Sequence, residues 1–211
     1  MFSKFGRDQM RYVKFATHEN LLDIAAHAKI GVEWHDNDWT FAEGGVGDRI
    51  KVDRLYQRHD LAACVSGECD DAVFFDFMDQ VIAQTASDKL MVIHLVGRHF
   101  PYHHRYPSAF EAFKPACNSP VLDTCMPQEI VNDYDNSIRY TDDVLAHFIE
   151  TLTQQTQITS ALIYTSDHGE ALGEGGAYLH STPLSMAPPE QTRCRFSCGF
   201  PNPALRLLMS I

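Results

Sequence analysis

Apolar positions along the chain fall into alternating helix-like and strand-like stretches. Thr17–Lys29 reads as a helix, with Thr17 as N-cap and Leu21, Leu22, Ala25 and Ala28 on one face. Ile30–Trp34 follows as a strand closed by the polar turn His35-Asp36-Asn37-Asp38, and a glycine-rich loop then runs to Asp48 and Arg49. Asp70–Ala86 is amphipathic, with Val73, Phe74, Phe77 and Val81 inward. Lys89 and Leu90 open the nearly all-apolar strand Met91–Val96, which predicts a central place in a parallel sheet. From Gly97 the chain becomes a long polar loop. Gln128–Gln155 is then the longest helix, with Ile130, Tyr134, Ile138, Thr141, Leu145, Phe148 and Leu152 as a single buried stripe. Ala161–Tyr164 is a short apolar run that reads as a buried strand.

This alternation predicts an α/β fold: a mostly parallel central sheet flanked by helices. No internal repeat, linker or low-complexity segment interrupts it, and 211 residues suffice for one buried core. Charge narrows the function classes. The formal net charge is −11 with no basic stripe, which argues against nucleic acid as a partner. No run of about eighteen apolar residues is present, so no bilayer span is predicted. The opening MFSKFGRDQMRYVKF is basic but lacks the apolar centre of a signal peptide, so neither an export signal nor an anchor is expected.

The stretch with the most chemistry is ALIYTSDHGEALGEGGAYLH, residues 161–180. Adjacent Asp167 and His168 at the carboxyl end of a strand offer a hard oxygen and an imidazole nitrogen, a pairing suited to Zn²⁺ or a similar divalent ion. Strand carboxyl ends are also where α/β sites gather. The competing reading is a strand-terminating turn with a capping Asp. On its own, His99 reads as one of the loop histidines beside His103 and His104, and His180 as a surface residue before Ser181-Thr182-Pro183. His94 reads as a buried strand histidine. Glu170 and Glu174 could orient His168, but read more simply as solvated loop carboxylates. Cys64 with Cys69, and Cys117 with Cys125, read as short-loop disulfides of an oxidising compartment. Structural zinc competes there, although the spacings are not those of CxxC knuckles. Cys194 and Cys198 stand apart in the tail.

Several motifs in order carry a resemblance: SDHGE followed by LGEGGAYLH, the run HLVGRHFPYHHRYP from His94, CNSPVLDTC, and YDNSIRYTDDVL. Over about Met1–Thr192 the chain resembles the bacterial phosphoethanolamine transferases of lipid A and lipopolysaccharide core, within the alkaline phosphatase/sulfatase superfamily. The resemblance implies a sulfatase-like fold with Asp167 and His168 as zinc ligands. It implies that His99 and His180 contact the transferred phosphoryl group or a second zinc. Asn37 and Asp38 match loosely a cluster near the substrate head group. The lysine that follows this cluster in the family has no counterpart in Ala42–Val46, and the family's cysteines there are missing too. The implied donor is phosphatidylethanolamine and the implied acceptor lipopolysaccharide. A metal-activated threonine would form a phosphoenzyme that a sugar phosphate or hydroxyl resolves, in a periplasmic domain anchored in the inner membrane.

Against that pattern, the segments expected to carry the threonine, an upstream glutamate ligand and the membrane region find no match, and Met1–Arg7 resembles sequence just downstream of the threonine. After Thr192 the composition shifts to Arg, Cys, Ser and Pro without strand or helix period. The expectation is a catalytic domain truncated at both ends, over 1–192, with an aberrant, out-of-frame tail over 193–211: a pseudogene-like fragment, inactive alone. Two other readings stand beside it. One is a sulfatase- or phosphodiesterase-like hydrolase with water as nucleophile, weakened by the lack of a Cys/Ser-x-Pro-x-Arg motif; the other is a non-catalytic relic.

Overall fold

The computed structural model describes residues 18–38, 52–55, 64–65, 68–84, 87–180, 182–183, 185–199 and 209–210. Its contacts divide the chain into two compact units, Met1–Val96 and Gly97–Ile211.

In the first unit, helix α1 spans Leu21–His27. Thr17 lies outside the described residues, and the cap is Asn20. Its side-chain oxygen accepts from Leu22 N at 2.8 Å, while Asp23 accepts from Asn20 N at 2.8 Å. This reciprocal box starts the helix later than apolar spacing suggests. Leu22 and Ala25 are buried, whereas Leu21 and Ala28 face solvent. Strand β1 (Gly31–Asp36) lies between β2 (Val52–Arg54) and β5 (Lys89–His94), both parallel to it. The expectation of a central Met91–Val96 strand is therefore corrected: among the described strands β5 is an edge, and all six of its residues are half-buried. Apolar content misled because β1 buries polar residues that neighbouring strands satisfy. Buried Asp36 pairs with His94 at 2.8 Å and buried His35 with Asp53 at 3.3 Å, while half-buried Glu33 pairs with Lys89 at 2.7 Å.

Strands β3 (Cys64–Val65) and β4 (Glu68–Cys69) form a two-stranded ladder, with Cys64 bonded to Cys69. A turn at Asp71–Val73 leads into α2 (Phe74–Gln84). Val73, Phe74, Met78 and Ile82 are buried. Phe77, expected inward, is half-buried with its ring 3.8 Å from that of His35.

In the second unit, α3 spans Pro127–Gln154, with Pro127 at its first turn and Glu129 accepting from Met126 N at 2.8 Å. Its buried face holds Ile130, Asp133, Asn136, Ser137, Tyr140, Thr141, Val144, Phe148 and Thr151. The stripe expected here is thus in part displaced: Ile130, Thr141 and Phe148 are buried as expected, but Ile138 is exposed, and Asp133, Asn136 and Ser137 are inside. Ser137 is satisfied within the helix by Tyr134 O at 2.6 Å, while Asp133 and Asn136 find their partners in the long loop. Asn136 accepts from Ala112 N and Phe113 N, both at 2.9 Å, and donates to Phe113 O at 3.0 Å. Tyr106 donates to Asp133 at 2.6 Å. A polar loop becomes ordered because its donors and acceptors are matched on the helix. Cys117 is bonded to Cys125, and Tyr102, Cys117 and Ile130 form a small core beneath Phe100, Tyr134, Leu172 and Leu179.

Strand β6 (Leu162–Thr165) is less buried than its apolar run suggests, with Ile163 68% exposed. The hairpin β7 (Ala171–Leu172) and β8 (Tyr178–Leu179) follows, then α4 (Pro189–Thr192). The tail, expected to lack regular structure, supplies β9 (Phe196–Gly199), antiparallel to both β6 and β10 (Met209–Ser210). A four-residue strand leaves no period to read, and its partner decides it.

Candidate metal centre

The second unit builds its site from the end of β6 onward. The β6–β9 pairing continues past Thr165, since Ser166 N donates to Arg195 O at 3.0 Å and Arg195 N to Ser166 Oγ at 2.8 Å. Asp167 therefore leaves the sheet at a fixed point, exposed, with Oδ1 accepting from His168 N at 3.0 Å. His168 donates from Nδ1 to Gly169 O at 2.8 Å. Gly169 packs directly on α4: a Cβ there would lie 1.8 Å from Glu190 O and 2.7 Å from Arg193 O. Only glycine permits that approach.

Helix α4 holds both ends of the loop. Gly169 N donates to Gln191 O at 3.2 Å, and the buried Gln191 side chain donates to Leu179 O at 2.9 Å. Leu179 has φ 61°, a left-handed backbone for a branched residue, just before His180. His180 is thereby brought back to His168, with ring centroids 4.0 Å apart, and to His99, at 5.8 Å. His99 is held by its own Nδ1 on Phe100 O at 2.8 Å and by buried Arg105, which donates to His99 O at 2.7 Å.

Glu170 completes the cluster. It is not a solvated loop carboxylate: its side chain is 6% exposed and lies 3.3 Å from His180 Nδ1. Burial pushes its carboxyl up to about 7, against the opposing pull of His168, His99 and Arg98. Burial lowers the His180 pKa, and His168 and His99 add to that effect. Glu174, by contrast, is exposed and accepts from Leu172 N at 2.7 Å, which serves the hairpin.

The donor set fits a zinc ion in part. Asp167 Oδ2 and His168 Nε2 lie 3.8 Å apart, and His168 Nε2 is the ring nitrogen left over. Two ligands of one tetrahedral zinc sit about 3.3 Å apart at the usual bond lengths, so a sub-ångström adjustment brings both onto one ion. Among the described residues no group of three His, Cys, Asp or Glu side chains gathers closely enough to hold a metal. Asp167 and His168 thus offer two of the four ligands a closed site needs.

The polar turn of the first unit is built differently. Asn37 donates to Cys69 O at 2.9 Å and to Asp71 Oδ1 at 2.8 Å, and Asp38 N donates to Asp36 Oδ1 at 3.0 Å. Asn37 and Asp38 are both buried. The segment holding Ala42–Val46 lies outside the described residues. Sequence reading missed Gly169 and Gln191 and undervalued Glu170. For Glu170 the available signal was its place directly before the apolar pair Ala171-Leu172, of which Ala171 is buried and Leu172 half-buried.

The sulfatase family profile matches residues 1–196. The chain belongs to the sulfatase family. It is 37% identical over 193 residues to phosphoethanolamine transferase EptA of Escherichia coli K12, a match covering 90% of this chain and 35% of that protein. The chain therefore spans about a third of the length of the curated relatives it matches. Among solved structures, it superposes on the soluble domain of lipooligosaccharide phosphoethanolamine transferase A from Neisseria meningitidis with TM-score 0.86 and 33% identity, covering 96% of this chain and 60% of that one. The C-terminal periplasmic domain of EcEptC from Escherichia coli, solved in complex with Zn, shares the fold at TM-score 0.68 and 21% identity, over 86% of this chain and 52% of that one. Among the described residues, no helix is long and apolar enough to cross a membrane.

Proposed function

We propose that this chain supplies the metal-binding part of a phosphoethanolamine transferase acting on the lipid A or core sugars of lipopolysaccharide, with phosphatidylethanolamine as donor. Asp167 and His168 hold zinc, and His99 and His180 contact the transferred phosphoryl group, in a periplasmic domain of an inner-membrane enzyme. One observation carries the reading: the rings of His99, His168 and His180 gather near Asp167, although His99 comes from a segment far from the other two in the sequence. Relatives named for this transfer match most of the chain.

When bound, zinc supplies Lewis acidity toward a phosphoryl oxygen. The chain's own residues do the positioning. Asp167 and His168 present their ligand atoms from a sheet end clamped by β9 and α4. His99 and His180 each have Nδ1 engaged, so each presents Nε2: an acceptor when neutral, a donor to a phosphoryl oxygen when protonated. Asn37 and Asp38 are the residues proposed for the head-group contacts that the family resemblance implies.

The test is zinc stoichiometry of the purified chain, with Asp167→Ala and His168→Ala, alongside mass spectrometry of lipid A incubated with the chain and phosphatidylethanolamine. Zinc binding lost in both variants, with phosphoethanolamine added by the wild-type chain, supports the reading. Zinc retained at full stoichiometry in both variants would overturn the assignment of the ligands.

A further inference from the structure

We propose that Glu170 is a positioning residue that sets the tautomer of His180, so that all three histidines of the site present the same ring atom, Nε2. For what those atoms contact, the inference rests on the transferase reading; for the hydrogen-bond arrangement it does not.

The argument begins with His99 and His168. Their Nδ1 atoms lie 2.8 Å from Phe100 O and 2.8 Å from Gly169 O. A carbonyl oxygen only accepts, so each Nδ1 carries its hydrogen and each neutral ring keeps its lone pair on Nε2. For His180 the oxygen facing Nδ1 belongs to a side chain, Glu170 Oε1, at 3.3 Å. The fold brings the two together by register. Ala171 pairs with Leu179 across the β7–β8 hairpin, so the residues just outside that pair, Glu170 and His180, stand opposite each other. The hairpin is itself anchored: Ala171 is fully buried, and Gln191 holds Leu179 O. With its side chain 6% exposed, Glu170 needs donors: the Tyr102 hydroxyl is one neighbour, and His180 Nδ1 is the one that faces Oε1 at 3.3 Å. A carboxylate that accepts from Nδ1–H leaves Nε2 of His180 free toward the cluster, as the backbone carbonyls do for the other two rings. Two of these orienting groups are main chain and cannot be substituted. Glu170 can.

The experiment is two-bond proton–nitrogen NMR of the full chain with nitrogen-15-labelled histidine, at a pH above the imidazole titration, for wild type, Glu170→Gln and Glu170→Ala. The expected result is the Nδ1–H tautomer for His180 in wild type and in Glu170→Gln, whose amide oxygen still accepts. In Glu170→Ala the expected result is a tautomer mixture, with His99 and His168 unchanged. An Nε2–H tautomer of His180 in wild type, or an unchanged spectrum in Glu170→Ala, would overturn the proposal. Should Glu170→Ala fail to fold, the wild-type tautomer alone decides. Transfer rates give a second readout: a fall of about 10- to 100-fold in Glu170→Ala, restored in Glu170→Gln. If wild type shows the tautomer but transfers nothing, the transferase reading fails while the positioning role stands. If wild type transfers and Glu170→Ala is as fast, the role of Glu170 in the reaction fails.

Discussion

Two strands of this chain end in similar polar turns, His35-Asp36-Asn37-Asp38 after β1 and Ser166-Asp167-His168-Gly169 after β6, yet the structure uses them in opposite ways. At β1 the acid is 1% exposed, and its Oδ1 accepts both the His94 ring and the Asp38 backbone. Asn37 spends both amide hydrogens on Cys69 and Asp71. At β6 the acid is exposed, and His168 uses one ring nitrogen on Gly169 and keeps the other. A polar turn at a strand end is therefore not yet a site. At β1 the atoms left without a hydrogen bond, Asp36 Oδ2 and Asn37 Oδ1, are buried, whereas at β6 Asp167 is exposed and a second segment, the one ending at His180, is brought to face His168.

The sharpest way to break this contrast is Gly169→Ala. Its Cβ would strike the Glu190 and Arg193 carbonyls, a backbone clash worth about 3 kcal/mol or more. The expected outcome is a melting temperature lower by about 6 °C or more, together with weakened zinc binding. A variant that melts like wild type would show that α4 does not clamp the loop.

A second test uses a buried carboxylate of the second unit that is spent internally, like Asp36. Burial raises Asp133 from 3.8 to about 6 despite the bond from Tyr106. Between those values the folded chain holds a proton that the unfolded chain has released, so stability falls as pH rises through that window, by about 2–3 kcal/mol. Glu170, raised to about 7, adds a slope of the same sign. Denaturant unfolding from pH 4 to 7 should show the decline, and Asp133→Asn should flatten part of it. A wild-type curve that rises across this range would contradict the burial argument.

The two acids at the strand ends then give the direct comparison. Asp36→Ala removes the acceptor of two bonds in a buried position and is expected to cost about 2 kcal/mol of stability without changing zinc content. Asp167→Ala, at an exposed position, should change stability of the zinc-free chain by no more than about 0.5 kcal/mol while abolishing zinc binding. Calorimetry and metal analysis of both variants check the pair. If zinc is lost in Asp36→Ala and kept in Asp167→Ala, the assignment of the two turns is reversed.

Much of the fold was legible from apolar periodicity. The helices near 21–27, 74–84 and 127–154 and the strands near 31–36, 89–94 and 162–165 all lie where the pattern places them. What periodicity misjudged was burial. Ile138 and Ile163 are exposed, while Asp133, Asn136 and Asp36 are buried, because hydrogen-bond partners from distant segments made burial of polar groups affordable. The site was legible as single residues. Motif order singled out His99, Asp167, His168 and His180, but neither Glu170 as a buried group nor Gly169 as a packing contact.

By itself, then, the sequence determined which residue types stand at the strand ends and which family the chain belongs to, since both are properties of local pattern and motif order. Only the tertiary structure decided which of the two polar turns buries its acid and which exposes it, that His180 returns to His168, and that the segment after Thr192 pairs with β6. These depend on contacts between residues remote in sequence, such as Gly169 on Glu190 or Gln191 on Leu179. No local period encodes such contacts, and packing alone selects them.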